Sequence, residues 1–219
     1  MTMAHKDEQQ DSSVKFFVAQ ELLSVLECEQ FFLYRSLLIE WNNYFNLTAI
    51  IDPEKILVDH FQDSLALRRF FNISAMQAIA DVGSGAGFPG IPLAIVQKNI
   101  SVILIEVNSK KRTFLQKVID SLELKNVFIS AFDWQTFIRK TDYPIDLFCA
   151  RASLRPEKLV YQFASDSNYQ NKGFVYWASE HWNKKDVLEL NNYFCTEYFY
   201  LNGNKNRKLV YVARNGEAF

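Results

Sequence analysis

Ala78-Ile79-Ala80-Asp81-Val82-Gly83-Ser84-Gly85-Ala86-Gly87-Phe88-Pro89-Gly90 decides the fold of this chain. An apolar run ends in an acid and passes directly into four glycines within eight residues, out of seven in the whole chain. Glycine tolerates positive φ and lets a ligand approach without a Cβ in the way. A glycine-rich turn from strand to helix is where α/β proteins hold a nucleotide-like ligand, at the carboxyl end of the sheet.

Outward from this loop, strand and helix patterns alternate. Strands are predicted at Ala78–Val82, Val102–Ile105, Val127–Ser130, Ile145–Ala150 and Gly173–Ala178. Helices fit between them at Pro89–Gln97, Ser109–Leu122, Trp134–Arg139 and Pro156–Ala164. The alternation predicts a parallel sheet with helices on both faces. The end differs. Tyr193–Leu201 and Lys208–Ala213 read as strands flanking Asn202-Gly203-Asn204-Lys205-Asn206, and Asn-Gly is a hairpin signal. A mostly parallel seven-stranded sheet finished by an antiparallel hairpin is similar to the class I S-adenosylmethionine-dependent methyltransferase fold.

Upstream the signals are helical. Phe16, Phe17, Leu22, Leu23 and Leu26 repeat at helical spacing, and a second helix from Glu29 to about Phe45 places Phe32, Leu33, Leu37 and Trp41 on one stripe. Asp52-Pro53-Glu54 reads as an N-cap, a proline in the first turn and an acid, so a third helix is predicted from Pro53 to about Phe70. These helices either pad one end of the sheet or help bind a substrate. The resulting division is a disordered tail over 1–13, a helical extension over 14–72 and the α/β domain over 73–219.

Composition narrows the classes. The 219 residues are 49% hydrophobic and 22% charged, ordinary for a globular chain long enough to bury a core. A net charge of −1 argues against a uniformly basic nucleic-acid binder but leaves room for a local basic patch. Cys28, Cys149 and Cys195 lack metal-ligand spacing and read as reduced thiols, so no metal is expected. No apolar run is long enough to span a bilayer and the polar N-terminus lacks a signal peptide's apolar region, which leads to a cytoplasmic expectation.

The glycines fit two registers. Gly83-x-Gly85-x-Gly87 after Asp81 suits a methyltransferase loop, while Gly85-x-Gly87-x-x-Gly90 formally matches the dinucleotide fingerprint. Spacing alone does not choose. In the second register Pro89 and Pro92 would remove backbone donors where a pyrophosphate needs them, whereas S-adenosylmethionine has no phosphate to lose. Glu106, at the end of the second strand, can accept both hydroxyls of an adenosine ribose. Phe132-Asp133 follows the third strand, where an adenine would be stacked and its amino group met by an acid. Lys110, Lys111 and Arg112 open a helix, where cations oppose the macrodipole; they suit either a nearby polyanion such as an RNA backbone or a solvated face.

Asn46-Leu47-Thr48-Ala49-Ile50, His60-x-x-Asp63-Ser64 and Gly83-Ser84-Gly85-Ala86-Gly87-Phe88-Pro89-Gly90-Ile91-Pro92-Leu93-Ala94 occur together and in that order. This combination resembles the ribosomal RNA small-subunit methyltransferase G family, also called glucose-inhibited division protein B, over roughly Leu37 to Leu159. The resemblance implies S-adenosylmethionine as cofactor, small-subunit (16S) ribosomal RNA or the small subunit as partner, and methyl transfer to guanine N7. It implies that Asp81, Gly83, Gly85 and Phe88 belong to the cofactor site, with Glu106 at the ribose and Phe132 and Asp133 at the adenine. Arg151, in Ala150-Arg151-Ala152, matches the arginine of a Ser-Arg-Ala motif and would position a phosphate, the substrate base or the cofactor. Asn46 and Thr48 would shape the pocket mouth or tie the helices, with Lys110, Lys111 and Arg112 beside the RNA. Guanine N7 carries a lone pair and no proton, so no general base is assigned; His60 is expected to be structural or to contact Asp63.

Three positions depart from the family pattern. Asp59 stands where Arg usually precedes the histidine, Ala131 replaces an Arg near the adenine-contacting acid, and Trp177-Ala178-Ser179 replaces a late Lys-Gly. Each removes a positive charge that could meet a phosphate. The alternatives are a methyltransferase acting on another RNA or a small molecule, and a non-catalytic ribosome-binding protein.

Overall fold

Seven strands carry the fold: β1 (Ala78–Val82), β2 (Ser101–Ile105), β3 (Val127–Ser130), β4 (Leu147–Arg151), β5 (Gly173–Ser179), β6 (Phe194–Asn202) and β7 (Lys205–Ala213). They form one sheet of order β3-β2-β1-β4-β5-β7-β6. The first five are parallel, and β7 runs antiparallel between β5 and β6. This computed structural model describes residues 14–214, residue 16 excepted; the expected tail over 1–13 and Phe16 lie outside the described residues.

Alternate residues of each strand serve two cores, as the pleat requires. Ile79, Val102, Leu104, Leu147 and Cys149 face one layer, and Ala80, Ile103, Ile105, Phe148 and Ala150 face the other. The first layer contains α1 (Val25–Phe45), a helical segment α2 over 53–69, α3 (Gly90–Val96) and α4 (Ser109–Ser121). The second contains α5 (Trp134–Lys140) and α6 (Pro156–Leu159). Phe31, Tyr34 and Leu38 of α1 share one core with the sheet, so the N-terminal helices are continuous with the α/β body. The strand order reverses at β1, which pairs with β2 on one side and β4 on the other. The glycine loop therefore opens at the switch point of the sheet, where open α/β folds bind ligands.

Three sequence expectations are corrected. The first helix does not run through Leu26. Leu22 turns left-handed (φ 52°), and Ser24 starts α1 afresh with a capping box: Glu27 N donates to Ser24 Oγ, and Ser24 N donates to Glu27 Oε2. Leu22 and Leu26 are consequently 87% and 52% exposed. The inward stripe of α1 is rotated from the predicted one: Phe31, Tyr34, Leu37 and Leu38 are buried, and Leu33 is exposed. Tyr34 decides the rotation, because its hydroxyl donates to Ala86 O in the glycine loop. The predicted five-residue hairpin loop is tighter. Asn202 pairs with Lys205, leaving Gly203 and Asn204 as the turn, with Gly203 at φ 56°.

The third helix runs as predicted from Pro53, capped by Asp52, but its pitch changes. Pro53–Lys55 is α, Ile56–Gln62 is π, Asp63–Leu65 is α and Ala66–Arg69 is 3-10. A π segment shifts side chains off the 3.6-residue spacing and is frequent at functional sites.

Candidate active site

The glycine loop leaves β1 through three left-handed residues, Gly83, Gly85 and Gly87 (φ 68°, 61° and 100°). Gly83 N and Ser84 N both donate to Ile105 O, which ties the loop to the end of β2. The glycines have different duties. A Cβ on Gly83 would lie 2.5 Å from Ser153 Cβ, and one on Gly87 would lie 2.7 Å from Tyr34 Oη. These two admit neighbouring protein. A Cβ on Gly85 would meet only Gly83 O at 3.8 Å, so Gly85 opens onto free space.

Asp81 sits beneath the loop rather than on the cleft surface, which corrects its expected place in the cofactor site. It is 1% exposed, and its Oδ2 accepts the N–H of Gly90 at 3.0 Å. Burial pushes its carboxyl up to about 7. Glu106 does face the cleft wall. Its Oε2 accepts from Gly85 N at 2.8 Å and its Oε1 from Asn108 N at 2.8 Å. Each carboxylate oxygen has a second lone pair, so the oriented group can still accept two hydroxyls.

Opposite stands a wall built by α2 and β4. Arg151 spends its guanidinium on the π segment: Nη1 donates to His60 O and Ser64 Oγ, and Nη2 to Asp59 O and His60 Nδ1. Nε faces Asp63 Oδ2 at 3.5 Å. Four of its N–H groups thus make hydrogen bonds to the helix, and the guanidinium is ion-paired with Asp63. Arg151, expected to position a phosphate, the substrate base or the cofactor, thus staples the sheet to the helix. His60 stacks on Phe88 with centroids 4.3 Å apart, and its Nε2 lies 2.8 Å from Thr48 Oγ1. Burial and the Arg151 charge push its pKa down to about 3, so the imidazole is neutral. It contacts Thr48, Phe88 and Arg151 rather than Asp63.

Asp63, 2% exposed, anchors the other side of this wall. It accepts from Tyr200 Oη at 2.7 Å and from Arg207 Nη2 at 3.2 Å. Trp177, one of the departing positions, donates its indole N–H to Asp63 O. Asp59, another, is bound by Lys205 Nζ at 2.8 Å. Asp59 thus takes its counter-ion from β7. Sequence reading did not single out Tyr200, Lys205 and Arg207 because the turn that presents them is more than a hundred positions from α2; only the His-x-x-Asp-Ser spacing hinted at an anchoring face.

Two clefts meet at this wall. One, about 450 Å3, is lined by Gly83, Gly85, Phe88, Glu106, Lys111 and Leu154 among others. The second, about 380 Å3, is lined by Ala49, Asp59, Tyr176, Trp177, Lys205 and Arg207 among others. Thr48, His60, Arg151 and Ala152 line both.

The remaining expected residues are spread around these clefts. Phe132 is 45% exposed beyond β3, and Asp133 caps α5 by accepting from Thr136 N, which lowers its pKa. Neither lines the two clefts. Asn46 is the left-handed C-cap of α1, so it ties the helix end. Lys110 is exposed and Lys111 reaches the first cleft. Arg112 donates to Glu106 O and Val107 O, holding the strand end instead of facing solvent freely. Among the described residues no group of three or more His, Cys, Asp or Glu could hold a metal ion, and no helix is long and apolar enough to cross a membrane.

Residues 27–200 match the family described as rRNA small subunit methyltransferase G. A curated relative from Lachnoclostridium phytofermentans, named ribosomal RNA small subunit methyltransferase G, is 41% identical over 136 residues, covering 61% of this chain and 56% of its own length. One of the same name from Bacillus subtilis is 35% identical over 135 residues, again 61% and 56%. The chain thus matches little more than half the length of these relatives. Among solved structures, a SAM-dependent methyltransferase from Aquifex aeolicus aligns with a TM-score of 0.56 at 17% identity, covering 74% of this chain and 94% of that one. The M. capricolum TrmK structure with S-adenosyl-homocysteine aligns with a TM-score of 0.53 at 16% identity, covering 71% and 68%. At such identities the likeness shows the fold, which is the class I methyltransferase fold.

Proposed function

The chain belongs to the rRNA small subunit methyltransferase G family, and from that premise we propose that it transfers a methyl group from S-adenosylmethionine to guanine N7 of small-subunit ribosomal RNA. The observation that carries this reading is the pair of clefts sharing one wall, one formed by the glycine loop and Glu106, the other lined by Tyr176 and by ion-paired Lys205 and Arg207.

The first cleft fits the cofactor. Gly85 leaves room where a Cβ would intrude, Phe88 offers an apolar surface, and Glu106 is oriented with lone pairs free for ribose hydroxyls. When bound, S-adenosylmethionine supplies an electrophilic methyl group on a sulfonium. The protein's own residues supply position. Tyr176 lines the second cleft, where a base would lie against it, and Lys205 and Arg207 line it too, paired with Asp59 and Asp63. Guanine N7 has no proton to lose, which suits a wall whose histidine is neutral and whose carboxylate is fully paired. Catalysis then rests on proximity and orientation, with no general base. A base stacked in the RNA must first be exposed to reach such a cleft. The partner in this reading is the small ribosomal subunit or its RNA, which places the protein in the cytoplasm.

The test is methyl transfer from radiolabelled S-adenosylmethionine to small ribosomal subunits that lack their native guanine-N7 methylation, with calorimetric cofactor binding in parallel. Label in 7-methylguanosine is the expected result. Tight cofactor binding with no label in that RNA would move the substrate to another RNA or a small molecule.

A further inference from the structure

The hydrogen bonds along the wall between the clefts have a single direction. A guanidinium only donates, so the 2.7 Å contact from Arg151 Nη2 makes His60 Nδ1 an acceptor. A neutral imidazole with Nδ1 accepting carries its proton on Nε2. That proton is donated to Thr48 Oγ1 at 2.8 Å. The same oxygen accepts the N–H of Ile50 at 3.0 Å. A hydroxyl has two lone pairs and one proton. Both lone pairs of Thr48 are taken, and its proton has no protein acceptor among the described residues. Thr48 lines both clefts and is half-buried. Toward a ligand it is therefore a donor only, locked in that sense by Arg151 through His60.

We infer that Thr48 selects the base in the second cleft by donating its hydroxyl proton to O6 of guanine. This rests on the proposed transfer to guanine N7. On the edge of guanine that carries N7, the neighbouring group is O6, an acceptor; on adenine it is the N6 amino group, a donor. A donor-only hydroxyl at the junction of the clefts pairs with the first and opposes the second. The N7 of either base could attack a methyl group, so discrimination must come from the neighbouring group. Arg151 and His60 act here as positioning residues. They act through Thr48, fixing which way its proton points.

The test uses the full chain as wild type, Thr48→Ser and Thr48→Val. The RNA carries either guanosine or 2,6-diaminopurine riboside at the methylated position, placed by ligation before subunit assembly. Both bases keep N7, and the second replaces O6 by an amino group. Two quantities are read: kcat/KM for methyl transfer, and equilibrium affinity for the two RNAs without cofactor. Wild type and Thr48→Ser should favour guanine. Thr48→Val should lose roughly 10- to 100-fold on guanine and little on diaminopurine, the size expected for one hydrogen bond with a partner left unsatisfied. Comparing variants cancels the intrinsic difference in N7 reactivity. Equal losses on both RNAs would make Thr48 a packing residue and overturn the inference. So would a wild-type enzyme that binds and methylates the two RNAs alike, a result that needs no variant to fold. A wild-type chain that methylates no guanine N7 in small-subunit RNA would instead overturn the reading on which the inference rests.

Discussion

Arg151 shows how one side chain can change meaning between sequence and structure. Beside a strand end it suggests a phosphate ligand; in the fold four of its donors bond to Asp59, His60 and Ser64, and Asp63 pairs with its charge. Its position in the motif is legible, but its partners lie on a helix some ninety positions earlier, and nothing in the spacing announces them. Asp81 is a similar case. Its place before the glycines suggests a ligand contact, whereas it holds the loop from below through Gly90 N. Burial raises its carboxyl from 3.8 to about 7. An acid with a raised folded pKa keeps its proton longer in the folded state, so its contribution is full below about 4 and is lost as pH rises through about 7. Asp81→Asn removes this titration while keeping an acceptor for Gly90. Thermal melting from pH 5 to 8 should show wild type losing stability relative to the variant as pH rises. Parallel curves would mean that Asp81 is ionised throughout.

At the scale of elements, α4 buries Phe114, Leu115, Val118 and Ile119 and turns Lys110 to solvent. Lys110 stands in its first turn, exposed and without an ion pair among the described residues, where a cation opposes the helix dipole. Lys110→Ala should therefore leave stability unchanged or raise it by about 0.3–1 kcal/mol. If Lys110 meets an RNA phosphate, the same change should weaken RNA binding and lower the magnitude of the salt slope by about 0.7–0.9. Denaturant unfolding and RNA binding across a salt series read the two effects separately; an unchanged slope would leave Lys110 merely solvated. In α2 the departure from the predicted regular helix has a site-building effect. The π segment presents the carbonyls of Asp59 and His60 to Arg151 while the His60 ring reaches Phe88. The start of α2 was readable from Asp52-Pro53-Glu54, but its widened turn was not, because pitch depends on what the helix docks against.

At the scale of the whole molecule, the N-terminal helices and the sheet form one body that closes around the glycine loop. Tyr34 makes the link: buried in the core, it stacks on Phe61 of α2, and its hydroxyl donates to Ala86 O. Tyr34→Phe leaves that buried carbonyl without its partner and should cost about 1–3 kcal/mol. Because the carbonyl belongs to the loop, cofactor affinity should fall as well. Unfolding in denaturant with and without S-adenosylmethionine measures both; a stability loss with unchanged affinity would confine Tyr34 to packing. The ion pairs that line the second cleft are likewise a property of the whole molecule. The chain carries a net charge of −1, yet Lys205 and Arg207 come from β7 to flank residues of α2.

By itself the sequence determined the order of strands and helices, the reversed final hairpin and the place of the glycine loop, because these follow from local patterns. Period-two apolar runs, capping residues, an Asn-Gly turn and clustered glycines each act within a few residues. Tertiary structure alone decided which face of α1 is buried, which glycines face a cleft and which pack against protein. It also decided that Asp59 is answered by Lys205 and that Thr48 Oγ1 meets both His60 Nε2 and Ile50 N. Those outcomes depend on contacts between segments far apart in the chain. A hydrogen bond takes its direction from the atom it meets, and here that atom belongs to another element.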